Sequence, residues 1–198
     1  AGGGRLVGRG GDSEEELPSR QGLLNGCGAN VGEGGGGEGD RPHSVSAPVL
    51  LMPDRQSSAI TDSLLEEHYY PILSVAQGLS VGTNAVGATV TELLTTSPSS
   101  FSQPVDAVSP EKEEDDPQGP FAVGVRISHE SGGQIIWFSS SLFLEDFYNA
   151  YSSGANVNLG VNAIASLVGE RDATSIRSKS LNYNYLTISD SASSVLKG

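Results

Sequence analysis

The feature that most limits how this chain can fold is the alternation in residues 121–139. Phe121, Val123, Val125 and Ile127 alternate with Ala122, Gly124 and Arg126, the pattern of a half-buried strand with successive side chains on opposite faces. His129 to Gly133 supplies turn residues. Gln134-Ile135-Ile136-Trp137-Phe138-Ser139 follows as a short, mostly apolar run, as expected of a strand covered on both sides. The spacing predicts an antiparallel hairpin of 121–128 with 134–139.

Two helices are predicted after it. The first runs from about Leu142, entered through Ser140 or Ser141 as N-cap, with Phe143, Phe147 and Tyr151 at i, i+4 and i+8 and Leu144 and Tyr148 beside them. That aromatic set reads as core. The second covers about Asn156 to Gly169, with Val157, Val161, Ile164 and Val168 as its apolar stripe, Leu167 flanking it and Gly169 as its stop. Upstream, Val45 to Met52 reads as a strand ended by Pro53-Asp54. Thr61 is placed to cap a short helix through Asp62 to Glu67, whose acids suit the helix dipole. Ile72–Val75 and Thr89–Leu94 are further strand candidates. Strands with helices between and after them indicate an α/β layer structure.

The rest of the chain differs in composition. Hydrophobic residues are 36% of the whole, below the roughly 45–50% apolar share, glycine included, of globular chains. The shortfall is concentrated, because 15 of the 26 glycines lie in residues 1–39. So few large side chains offset little of the entropy of ordering the backbone. Residues 1–40 are therefore expected to be poorly ordered unless they lie across a folded neighbour. Residues 97–120 hold five prolines and the acidic run Glu111 to Asp116. They read as a flexible acidic loop, beyond the usual length of a connection.

Charge and cysteine content exclude several functions. The formal net charge is −13, with 18 acids and 6 bases in residues 1–120 against 6 and 5 in 121–198. Nucleic acid is excluded as a partner, since phosphate neutralisation needs clustered Lys and Arg. Unaided docking on anionic lipid is disfavoured too. Cys27 is the single cysteine, so no internal disulfide forms, and no neighbouring base activates it. No run of about 18 apolar residues suggests a membrane span. The first residue is Ala, and the chain reads as a piece of something longer.

Candidate chemistry is sparse. Ser139-Ser140-Ser141 lies at a strand-to-helix junction, where α/β hydrolases place a nucleophile, but Phe138 to Leu142 lacks the glycines of that elbow. Helix capping is the plainer role. His43, His68 and His129 have no metal-ligand spacing, and Glu66-Glu67-His68 lacks the second His of a zinc helix. Gly34–Gly37 has no following Lys-Ser/Thr, so it is not a phosphate loop. No catalytic, cofactor or metal residue is assigned. Asn158 and Asn162 share one side of the second helix at i, i+4, where they either bond loop backbone or touch a ligand. Tyr183 and Tyr185 are candidate exposed partner contacts.

These segments, taken in order, resemble the GldG-type (gliding-motility-associated) family of ABC-transporter auxiliary proteins. The carriers are Gly132-Gly133-Gln134-Ile135-Ile136-Trp137-Phe138-Ser139-Ser140-Ser141-Leu142-Phe143-Leu144, then Asn156-x-Asn158-Leu159, then Val161 to Gly169. Ile176-Arg177-Ser178-Lys179 resembles the family's "I-R-x-K" stretch before its last membrane helix, and Leu93-Leu94-Thr95-Thr96-Ser97 resembles its "leucines then T-T-S" strand end. Glu38 to His43 resembles an acidic turn. The likeness spans about residues 17–190, and the order and spacing of the segments carry it. Ser166 stands where Trp is common, and Gly34–Gly37 stands where apolar strand residues are expected.

The resemblance implies a mixed-sheet α/β domain at 41–188 with flanking helices. Its fold would be Rossmann-like and glutamine-amidotransferase-like, a fold also compared with a domain of intraflagellar transport proteins. It implies a non-catalytic, cofactor-free, extracytoplasmic domain of an ABC-2 type transporter accessory subunit, serving transport, secretion or gliding in bacteria. Its partners would be the permease and ATPase subunits. It implies membrane anchoring as well, with residues 189–198 as a tether towards a membrane helix beyond Gly198. The alternatives are a hydrolase- or amidotransferase-like enzyme and a solute-binding module.

Overall fold

The structure is a computed structural model that describes residues 4–8, 29–31, 35–37, 49–82, 87–104 and 111–169. Its centre is the expected hairpin. Strand β10 (Ala122–His129) pairs antiparallel with β11 (Gln134–Phe138), with Val125 opposite Trp137 and Ile127 opposite Ile135. On the other side of β10 lies β8 (Ala88–Thr95), also antiparallel, with register shifts near Gly124. Strand β5 (Asp54–Arg55) pairs with β8. Strand β7 (Leu79–Val81) joins β10 at Ala122 and carries β2 (Ala29–Val31) beside it. The remaining member is β1 (Gly4–Gly8), which lies parallel to β11 from Gly4↔Gln134 to Gly8↔Phe138. The result is a seven-stranded mixed sheet. Two small antiparallel pairs accompany it, β3 (Gly35–Gly37) with β9 (Phe101–Gln103) and β4 (Leu50–Leu51) with β6 (Leu73–Ser74).

Three short helices complete the described chain, α1 (Asp62–Glu66), α2 (Asp146–Tyr151) and α3 (Ala155–Val168). The chain is thus a mixed α/β protein, as the layer pattern predicts. Alternate residues of β11 serve two cores. Ile136 and Phe138 join Leu51, Ile60, Leu64, Leu73, Leu93, Leu94, Val123 and Phe143 on the face where α1 and α3 pack through Leu64, Ala155, Leu159 and Ala163. Trp137 joins Ala29, Leu79, Ala122, Val125 and Ile127 on the opposite face.

Strand limits near residue 50 are corrected. The strand expected over 45–52 is, among the described residues, only Leu50–Leu51, and Asp54, expected in a turn, belongs to β5. Three segments of the Gly-rich stretch 1–40 are strands. Backbone pairing with distant strands supplies what their own side chains lack. Gly37 shows why glycine stands in β3: a Cβ there would lie 2.6 Å from two carbons of the buried Phe101 ring. The apolar residue the β3–β9 pair needs comes from β9. The acidic stretch 97–120 contains β9 itself, a bridge from Phe101 to Gln118, and hydrogen bonds from Ser102 N to Pro117 O (2.9 Å) and Gly119 N to Ser100 O (2.8 Å). These bonds pair described parts of the stretch with one another.

The helix entries differ too. Thr61 is the N-cap of α1, as predicted, but its hydroxyl is donated back to the Gln56 carbonyl and does not cap the helix. At the other end, Arg55 donates to the carbonyls of Leu64 (3.2 Å) and Tyr69 (2.6 Å), and its guanidinium lies 3.7 Å from the centre of the Tyr70 ring. Helix α2 begins at Asp146, not near Leu142, with Glu145 as N-cap. Ser140 donates to Ser74 O instead of capping α2, and residues 142–145 form a turn closed by Glu145 N to Leu142 O at 3.0 Å. That turn seats Phe143 against Phe138, ring centres 5.1 Å apart. Helix α3 matches its expected span and stops at Gly169, a C-cap in the left-handed conformation with a φ of 80°. Its orientation is the opposite of that predicted. The buried side is Ala155, Asn156, Leu159, Gly160, Asn162, Ala163 and Ala165, while Val161, Ile164 and Val168 are exposed. Small residues let the helix lie close on the sheet, and the larger branched side chains are left outside.

Candidate functional site

Two asparagines of α3 are fully committed to holding the helix in place. Asn156, 0% exposed, accepts the Ile72 N–H at 2.8 Å and donates to Ile72 O at 2.9 Å and Phe143 O at 2.6 Å. Asn162 donates to Ile60 O and Ser63 Oγ, both at 2.9 Å. The sequence places Asn158 and Asn162 together as candidate contacts. In the fold Asn162 takes the loop-backbone role, while Asn158 is half-buried and lies nearer the surface. Asn156, not singled out from the sequence, is the one that ties helix to strand. The start of α3 is secured in the same way, with Asn156 N donating to Ser152 Oγ (3.2 Å) and Val157 N to Asn149 Oδ1 (3.1 Å).

Ser139 and Ser140 of the serine run also hold the fold together. Ser139 Oγ donates to Val123 O at 3.1 Å and Ser140 Oγ to Ser74 O at 2.5 Å, and both residues are buried. Each hydroxyl proton is engaged with a carbonyl, the wrong arrangement for a nucleophile, which needs a base as its acceptor. Ser141 is exposed. Of the histidines, His68 and His129 are exposed, and His129 Nδ1 lies 2.7 Å from Ser131 Oγ. Among the described residues no three His, Cys, Asp or Glu side chains are grouped to hold a metal ion. Cys27, His43, Tyr183 and Tyr185 lie outside the described residues, as does the expected tether at 189–198. Among the described residues no helix is long and apolar enough to cross a membrane.

What the fold does present is an apolar surface on α2 and α3. Phe147 is 65% exposed, Val168 66% and Ile164 51%, with Leu144, Tyr151 and Val161 exposed beside them. The aromatic set expected in the core is split: Phe143 is buried, whereas Phe147 and Tyr151 stack on each other outside, centres 5.9 Å apart and planes 13° from parallel. Phe147 also meets Tyr148 edge-on at 5.2 Å. Leu144, in the turn that leads into α2, lies over Gly160 of α3, where a Cβ would come within 3.1 Å of Leu144 Cδ2. A sequence signal for this face exists. Ala155, Leu159 and Ala163 form a second helical stripe beside Asn156 and Asn162, so the larger stripe was free to face out.

No family model matches the sequence, and no curated protein matches it. Among solved structures, the chain is similar to the mmIFT52 N-terminal domain. The TM-score is 0.55 at 14% sequence identity, over 84% of this chain and 65% of that one. The likeness is one of fold, and the chain spans 65% of that domain's length.

Proposed function

We propose that this chain is a non-catalytic binding domain, the extracytoplasmic part of an ABC-2 type transporter accessory subunit of the GldG type, with a Rossmann-like, glutamine-amidotransferase-like layered fold. The observation that carries a binding role is the row of exposed apolar side chains on α2 and α3. Apolar patches exposed to solvent mark interaction surfaces when they are large. The segments that resemble the family form the β11 strand, the turn into α2, and α3 itself. The mixed sheet and the likeness to the mmIFT52 N-terminal domain are compatible with the fold that resemblance implies. The engaged hydroxyls of Ser139 and Ser140 favour a binding role over the hydrolase alternative.

The test is co-expression of the full-length protein with ABC-2 type permease and ATPase subunits from the same genome, followed by detergent extraction and affinity purification. The three are expected to leave the column together, in fixed ratio. A full-length protein that purifies free of both subunits overturns the transporter assignment.

A further inference from the structure

Resting on the reading of the chain as a binding domain, we infer that the α2–α3 face seats an amphipathic helix of a partner protein whose flanks carry Lys or Arg. Shape is the first argument. Val157, Val161, Ile164 and Val168 follow at i, i+4, i+7 and i+11 along α3, a ridge of the kind that packs into the groove of a second helix. Leu144 lies beside that ridge on Gly160. Phe147 and Tyr151 stack on each other and are exposed on α2, the helix that follows Leu144.

Charge is the second argument, and it selects the occupant. From residue 127 to residue 169 there is no Lys or Arg, while Glu145 and Asp146 stand exposed between Leu144 and Phe147. A second copy of the chain would bring the same two acids, Glu145 and Asp146, to the same face, so self-association is opposed. An anionic bilayer is opposed for the same reason. A helix with basic flanks meets the apolar ridge with its apolar side and the two carboxylates with its ends, an arrangement that favours its encounter and orientation.

A yeast-displayed library of amphipathic helices, with Leu and Ile fixed on one face and flanking positions randomised, tests this on the purified 198-residue chain. Lys and Arg are expected to enrich in the flanks. Ile164→Ser and Phe147→Ser should each weaken the selected helices about tenfold or more, as truncation of a central apolar anchor does. Both sites are exposed, so the variants' melting temperatures should stay at the parent value. Glu145→Lys with Asp146→Lys should remove the preference for basic flanks. The inference is overturned by a library that yields no binders, by neutral or acidic flanks, or by helices indifferent to these variants. A concentration-dependent dimer abolished by Ile164→Ser would identify a second copy as the occupant. Binding to vesicles of phosphatidylglycerol and phosphatidylcholine that needs Phe147 would identify a membrane. Either result removes the partner helix. The transporter assignment fails separately, in the co-purification above, whatever the library returns.

Discussion

The side chain of Asn156 completes the backbone of Ile72 from both sides, its Oδ1 accepting the Ile72 N–H at 2.8 Å and its Nδ2 donating to the Ile72 carbonyl at 2.9 Å. A third bond, to Phe143 O at 2.6 Å, fixes the turn that leads into α2. One buried amide therefore joins α3 to the turn before α2 and to Ile72, 84 residues away. Asn156→Ala would leave all three main-chain groups unpaired. A loss of about 3 kcal/mol or more is expected, since each buried group without a partner costs about 1–3 kcal/mol. Trp137, the single tryptophan and 1% exposed, reports unfolding in urea. A loss below about 1 kcal/mol, the net worth of one ordinary hydrogen bond, would show that the clamp is not needed.

On α3, neighbouring apolar residues should respond in opposite ways. Leu159 is 0% exposed against the sheet, and Ile164 is 51% exposed on the outer face. Leu159→Ala should cost about 2–5 kcal/mol, as large-to-small changes in cores do. Ile164→Asp should stay within about 0.5 kcal/mol of the parent, as surface substitutions do. Had the branched stripe faced the core, the charge would have cost about 3–5 kcal/mol. The two midpoints in urea check the orientation directly, and a large loss at Ile164 would reverse it.

These contrasts show what the sequence made legible. The β10–β11 hairpin was readable because alternation and a short turn are both local. The extent of α3 was readable for the same reason, through its period and Gly169. Its buried side was not, because ranking stripes by side-chain size favours Val161 and Ile164 over Ala155, Leu159 and Ala163. The packing instead favours close approach and amides that reach Ile72 and Ile60. The place of β1 beside β11 was not readable at all. Its five residues are two glycines flanking Arg-Leu-Val, and their partners begin 130 positions further on, at Gln134. The exposed apolar face was hidden by the same ranking, which put Phe147 and Tyr151 inside.

Serine-directed probes separate the binding reading from the hydrolase reading. Ser139 and Ser140 are 2% and 0% exposed, and each hydroxyl is donated to a carbonyl. A fluorophosphonate incubated with the folded chain should leave both unmodified, as read by mass spectrometry of the digested protein. Ser140→Ala should lower stability by about 1–3 kcal/mol, because it leaves the buried Ser74 carbonyl without its donor. Stoichiometric labelling of Ser139 or Ser140 would overturn the non-catalytic assignment.

Gly37 and Phe101 form a pair whose coupling can be measured. The Phe101 ring occupies the space a Cβ on Gly37 would need, with Cε2 and Cζ each 2.6 Å from that position. Phe101 is 3% exposed, so its ring cannot swing aside into solvent without giving up its burial. Gly37→Ala is therefore expected to cost about 1–3 kcal/mol, the usual effect of forcing extra volume into a packed site. Phe101→Leu alone should also destabilise, because the smaller side chain fills less of the site. Together they should cost less than the sum, since the leucine leaves room for the new methyl group. That sign of coupling distinguishes a steric clash from a general intolerance of side chains in β3. The double-mutant cycle is read from urea midpoints of the parent, both single variants and the pair. Additive losses would mean that the ring and the glycine do not meet, and that the Gly-rich run is in β3 for some other reason.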